Sequence, residues 1–188
     1  MYTRFIKRCI DIIISGSLLF FLSPIMVLTA LAIWLEDNKS PIFRQQRVGR
    51  DGHIFVINKF RSMPVNTKNV VSADVDDIQV TRIGKFIRRT NLDELPQLVN
   101  ILVGDMSIVG PRPALMAQTD LNQLRKQYDV YRLAPGLTGL AQVRSYDGMS
   151  EIEKAKWDSI YNKSISLWTD LKIMIATFSY ILKPPPVY

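Results

Sequence analysis

The chain has 188 residues, enough for one globular core with an appendage, and its 24 basic and 17 acidic residues give a formal net charge of +7. That balance favours an anionic partner: nucleic acid, phospholipid headgroups or a phosphorylated substrate. The single cysteine, Cys9, excludes disulfide and multi-cysteine metal frameworks, and the single histidine, His53, makes a zinc site or a Ser-His-Asp triad hard to build.

Residues 9–35 are almost wholly apolar, interrupted by Asp11, and exceed the ~20 residues that span a bilayer. The run is too long, and lacks a cleavage site, for a signal peptide. Arg4, Lys7 and Arg8 precede it, and Lys39, Arg44, Arg47 and Arg50 follow it. Positive flanks mark the cytoplasmic side, so both ends ask to remain there. Pro24 removes a backbone donor near the middle, and the Ser23 hydroxyl can supply a local partner. A re-entrant hairpin that breaks at Ser23-Pro24 is therefore favoured over a single transmembrane span.

Residues 42–48 and 53–60 alternate around Gly49-Arg50-Asp51-Gly52 and predict a β-hairpin. Its second arm carries Lys59 and leads to Arg61, cations that also suit a membrane edge. Residues 65–80 are polar and acidic. Asp74-Val75-Asp76 has the DxD form of many nucleotide-sugar glycosyltransferases, although a solvated loop is the simpler reading. Residues 82–89 predict a basic amphipathic helix: Ile83, Phe86 and Ile87 on one face, Arg82, Lys85 and Arg89 on the other, with Arg88 alongside. Such a helix suits an anionic membrane surface or a phosphate. No zinc-finger spacing or RNA-binding aromatic motif argues for nucleic acid.

Thr90 with Asp93 reads as a capping box. Pro96 moves the expected helix start towards Leu95 and leaves Asp93 and Glu94 at its mouth. The helix is expected to end at Gly104. Two adjacent acids near a crowd of guanidinium and ammonium groups suit a metal-bridged phosphate; a capped helix with solvated acids fits the same spacing. Arg112 stands between Pro111 and Pro113, where a stiffened backbone lowers the ordering cost of gripping an anion. An ordinary loop arginine fits equally. Residues 114–131 predict a polar amphipathic helix, 134–143 a turn feeding a short extended piece, and 151–162 a helix. Residues 166–182 predict an interfacial or packing helix, interrupted by Asp170 and Lys172, with Trp168 and Tyr180 near headgroups. Residues 183–188, with three consecutive prolines, predict an extended tail.

In this order the pieces resemble the bacterial sugar transferase family, the small monotopic phosphoglycosyl transferases, over essentially the whole chain. The resemblance runs from Phe5-Ile6-Lys7-Arg8-Cys9-Ile10-Asp11 through Ser23-Pro24, Lys59-Phe60-Arg61-Ser62-Met63 and Thr81-Arg82-Ile83-Gly84-Lys85-Phe86-Ile87-Arg88. It is densest from Leu92-Asp93-Glu94-Leu95-Pro96-Gln97-Leu98 to Gly110-Pro111-Arg112-Pro113, and Pro135-Gly136-Leu137-Thr138-Gly139 and Ser166-Leu167-Trp168-Thr169-Asp170 close it. Asn91 stands where the family commonly has Ser or Thr, and Val103 where a basic residue is usual.

The resemblance implies transfer of a sugar-1-phosphate from a UDP-sugar to polyprenyl phosphate, with release of UMP and a requirement for magnesium (Mg2+). It implies Asp93 as nucleophile, forming an aspartyl-phosphosugar, and Glu94, with Asp93, at the metal. Lys59, Arg88 and Arg112 are the expected phosphate and nucleotide ligands. The expected fold is α+β and mostly helical. A re-entrant membrane helix-break-helix occupies residues 1–35. A catalytic domain on the cytoplasmic face of the inner membrane occupies 36–188, with a small β-hairpin and amphipathic interfacial helices around a compact core. The expected partners are the UDP-sugar, polyprenyl phosphate and the phospholipid membrane, without nucleic acid; self-association is left open. Two rivals stand beside this reading: a metal-dependent glycosyltransferase using Asp74 and Asp76, and a non-enzymatic basic membrane-binding module.

Overall fold

The N-terminal apolar run forms one α-helix, α1 (Lys7–Asp37), entered through a π-helical turn. A computed structural model describes residues 2–65, 67, 80–144 and 148–181. At about 1.5 Å per residue, α1 is about 46 Å long, and it is long and apolar enough to cross a membrane. The expected break at Ser23-Pro24 does not interrupt the helical backbone. Pro24 cannot donate to the Phe20 carbonyl; the Ser23 hydroxyl donates to it instead, at 2.8 Å. The proline's local cost is thereby reduced to an exchanged hydrogen bond.

Both ends of α1 are bound to the rest of the protein. Near its start, Arg8 donates to the Ile101 and Leu102 carbonyls at 2.6 and 2.7 Å. Asp11, the charge that interrupts the apolar run, is buried and accepts from the Ser107 hydroxyl and the Ile108 amide. Near its end, Glu36 accepts from the Arg82 amide at 2.9 Å, and Asp37 forms a two-pronged pair with buried Arg61 at 2.5 and 2.6 Å. Between these anchors the outward side chains, Phe20 and Phe21 among them, are exposed.

The hairpin forms as expected: β1 (Ile42–Val48) pairs antiparallel with β2 (Ile54–Phe60), in register from Ile42 opposite Phe60 to Val48 opposite Ile54. Helix α2 (Arg82–Arg89) follows, capped by the Thr81 hydroxyl. Ile87 is buried on its apolar face, whereas Phe86, expected beside it, is exposed. A 3-10 turn (Leu92–Glu94) leads to α3 (Gln97–Val103), which stops at Gly104 in a left-handed conformation (φ 105°). The Thr90 hydroxyl is spent on the Phe86 and Ile87 carbonyls of the preceding turn, so the expected capping box with Asp93 does not form. Strand β3 (Ser107–Val109) pairs in parallel with β4 (Gly136–Thr138). Between them lies α4 (Thr119–Gln127), shorter than the expected 114–131 helix because Ala114 is drawn into a bridge with Val48. Helices α5 (Leu140–Arg144), α6 (Glu151–Ser164) and α7 (Leu167–Ile181) complete the fold.

One hydrophobic core joins Ile57 of β2, Leu98 and Ile101 of α3, Ile108 and Val109 of β3, Tyr161 of α6 and Ile173 of α7, with Ile14 and Leu19 of α1 against it. A second joins Ile33 of α1, Phe60 and Ile87. Asp170, which interrupts the apolar pattern of the last helix, is buried and accepts from Lys7, Tyr2 and Tyr161, each at 2.6 Å. Leu167, Trp168, Leu171, Ile175 and Phe178 form an exposed apolar stripe on the opposite side of α7.

Candidate active site

The first two elements of the site are locked together by one side chain. Buried Asn100 on α3 accepts from the Asn58 amide at 3.0 Å and donates to the Val56 carbonyl at 2.7 Å. This fixes β2 against α3. Lys59, one residue beyond Asn58, then meets Glu94 just before α3, with Nζ 2.8 Å from Oε1. Arg112 comes from a different direction, and its Nη2 reaches the same Oε1 at 2.9 Å. Oε2 takes neither bond.

Arg112 sits on a loop whose carbonyls are tied down in succession. Pro111 accepts from the Gly136 amide at 2.8 Å, Arg112 from Arg125 Nη1 at 2.8 Å, Pro113 from Arg47 Nη1 at 3.1 Å and Ala114 from the Val48 amide at 3.0 Å. The loop meets β4 backbone to backbone, and a Cβ on Gly136 would collide with the Gly110 nitrogen. The glycines of the two sequence motifs are therefore required by close approach.

The two carboxylates are driven apart electrostatically. Burial, then the neighbouring Glu94 charge, pushes the Asp93 carboxyl up to about 6, against the pull of Lys59, Arg88 and Arg112. For Glu94, burial works in the same direction, but the charges and hydrogen bonds of Lys59 and Arg112 outweigh it and hold the carboxyl below the usual range. Among the described residues no hydrogen bond or ion pair reaches the Asp93 carboxylate. Its lone pairs are thus uncommitted, while Glu94 is ionised and gripped. Adjacent carboxyls with diverging proton affinities are what a division of chemical roles requires.

All five polar residues singled out in the sequence converge here: Lys59, Asp93, Glu94 and Arg112 directly, and Arg88 through its charge, with its Nε on the Ser62 hydroxyl at 2.9 Å. Ser23 and Pro24 lie apart, in the middle of α1. Asp74 and Asp76 lie outside the described residues. Arg47, a flanking charge in the sequence, also belongs to the site: burial and then the Arg112 charge lower its pKa to about 10, with Glu94 opposing. The alternation of β1 carries the missed signal: Arg47 shares its half-buried face with Phe43 and Gln45, while Arg44 and Gln46 face solvent. Arg125 and Asp158 gave no comparable signal.

Among the described residues no group of three or more His, Cys, Asp or Glu side chains could hold a metal. Two carboxylates still fit a magnesium ion, which commonly takes one or two and completes its shell with water and substrate phosphate.

Residues 2–184 match a family model described as bacterial sugar transferase. Over 182 residues, 91% of this chain, it is 42% identical to a UDP-glucose:undecaprenyl-phosphate glucose-1-phosphate transferase of Klebsiella pneumoniae, covering 39% of that protein. It is 40% identical over 191 residues to a protein of the same description from Caulobacter vibrioides, covering 97% of this chain and 72% of that one. It is also 40% identical over 185 residues to a UDP-N-acetylgalactosamine-undecaprenyl-phosphate N-acetylgalactosaminephosphotransferase of Aeromonas hydrophila, covering 95% of this chain and 44% of that one. The chain thus spans about two-fifths of the length of the first and third.

Proposed function

The chain belongs to the bacterial sugar transferase family, and from that membership we propose that it moves a sugar-1-phosphate from a UDP-sugar to polyprenyl (undecaprenyl) phosphate. The observation that carries the chemistry is the Asp93–Glu94 pair, one carboxyl raised to about 6 and its neighbour held low, among Lys59, Arg88 and Arg112.

An Asp93 oxygen attacks the phosphorus that bears the sugar. The bond from that phosphorus to the bridging oxygen breaks, and its electron pair leaves with UMP. An oxygen of the polyprenyl phosphate then attacks the same phosphorus, the bond to Asp93 breaks, and polyprenyl-diphosphate-sugar departs. A covalent intermediate divides one difficult displacement into two. Lys59, Arg88 and Arg112 bind and orient the phosphates, with Arg112 at the nucleotide end. Glu94, with Asp93, would hold magnesium, which when bound neutralises diphosphate charge that would otherwise repel the attacking carboxylate. Screening UDP-sugars for UMP release, starting with UDP-glucose and UDP-N-acetylgalactosamine, tests the reaction. No UMP from any donor in the presence of polyprenyl phosphate and magnesium would leave only a membrane-binding module.

The attack needs an ionised Asp93. Its activity should therefore fall below about pH 6, with log(kcat/KM) approaching a slope of one on the acid side. A profile flat down to pH 4.5 would remove Asp93 from the rate-determining chemistry.

α1 would enter the bilayer of the inner membrane, bend at Pro24 with its helix unbroken, and return to the cytoplasmic face. Its attachment to the same body at both ends supports that topology, as does the apolar stripe of α7 at headgroup depth. In a Cys9→Ser background, an impermeant thiol reagent should label Thr3→Cys and Lys39→Cys from the same side. Labelling from opposite sides would make α1 a span.

A further inference from the structure

Behind Arg112 lies a charge pair that the transfer chemistry does not use. The Arg125 and Asp158 side chains are 4% and 2% exposed. Arg125 Nε and Nη2 both donate to Asp158 Oδ2, at 2.9 and 2.6 Å, joining α4 to α6. Such a pair adds little stability over apolar side chains of the same size, because desolvation offsets the attraction. An apolar pair could not supply the third donor, Nη1, which Arg125 sends to the Arg112 carbonyl. One residue on, Arg47 Nη1 holds the Pro113 carbonyl, Nη2 is tied to Gln45 Oε1 at 2.6 Å, and Nε is buried without a partner. An orphaned buried donor is costly, so this arginine is kept in place despite its own hydrogen-bond shortfall.

The long Arg112 side chain is 53% exposed. Its grip on an anion depends on how well the backbone beneath it is fixed. We propose that Arg125, oriented by Asp158, and Arg47 are positioning residues that hold the Arg112 backbone so that its guanidinium meets the diphosphate of the donor. This rests on the function proposed above.

The test is UDP binding by calorimetry, with magnesium, to the full chain in lipid nanodiscs. Arg125→Lys keeps a cation for Asp158 but lacks the fork needed to reach the Arg112 carbonyl as well. It should weaken UDP binding about tenfold, the equivalent of about 1.4 kcal/mol, with little change in Tm. Adding Arg112→Ala should then weaken binding less than about twofold further, because coupled residues are not additive. UDP affinity unchanged in Arg125→Lys, or losses that multiply, would overturn the proposal. Should Arg125→Lys not fold, Arg47→Lys, which keeps the positive charge but lacks the fork that ties the Pro113 carbonyl and Gln45 together, gives an independent reading: a loss of about threefold or more supports the proposal, and parental affinity overturns it. A parent protein that neither binds UDP nor releases UMP sinks the functional reading and this inference with it. A parent that does both while the variants match it sinks the positioning role alone.

Discussion

Asp93→Asn should abolish transfer, lowering kcat on the order of 10^4-fold or more, while making the protein more stable. The activity loss follows from deleting the attacking oxygen. The stability gain follows from the sign of the proton linkage. The Asp93 carboxyl is raised from 3.8 to about 6 by burial and by Glu94, a difference worth about 3 kcal/mol. A raised carboxyl favours folding fully below 3.8, and that contribution is lost as pH rises through about 6. At pH 8 the native protein therefore bears the whole cost of an ionised, desolvated Asp93, and an amide removes it. After repacking, a gain of about 1–2 kcal/mol, or a Tm rise of about 2–6 °C, is expected. Intact-mass analysis of quenched parent protein, given donor and no lipid acceptor, should show one added sugar-phosphate, and the Asn variant none. A normally active Asp93→Asn would overturn the mechanism.

Glu94→Gln should also cost activity, on the order of 10^3-fold, but with the opposite effect on stability. The Glu94 carboxyl is held low because Lys59 and Arg112 converge on it at 2.8 and 2.9 Å. A depressed carboxyl stabilises the fold above its unfolded pKa and loses that contribution only as pH falls through the folded value. At neutral pH the contribution is complete, so the amide should lower stability by about 2 kcal/mol. Added magnesium should not restore turnover, because Gln is a poorer ligand and leaves two facing cations uncompensated. Thermal melts of both variants at pH 8 check the pair of signs. A shift in the same direction would show that the two carboxylates do not occupy opposed environments.

What was legible in the sequence is local. The alternation around Gly49-Arg50-Asp51-Gly52 specified the hairpin, and the periodicity of 82–89 specified α2, because one face of each is buried by its own pattern. Thr90 failed as a cap because its hydroxyl found nearer carbonyls, and the start of the 114–131 helix lost to a bridge with Val48. Asp11 and Asp170 read as faults in apolar helices, since their partners lie 96 and 163 residues away. The site divides in the same way. The Asp93–Glu94 pair and the proline-framed Arg112 were visible as motifs. Their meeting with Lys59, 35 residues from Glu94, and the Arg125–Asp158 pair, 33 residues apart, exist only in the folded chain.

The long N-terminal helix is tied to three elements that flank the carboxylate pair. Arg8 holds the far end of α3, Asp11 holds β3 ahead of the Arg112 loop, and Glu36 holds the start of α2, which bears Arg88. It is a beam of the building. Cutting it away to obtain a soluble fragment would strip side chains from both cores, and grafting the remainder onto a foreign anchor would not replace them. In the topology proposed above, the depth of α1 in the lipid and the way the carboxylates face their substrates are one mechanical setting, and turnover is expected to vary with bilayer thickness.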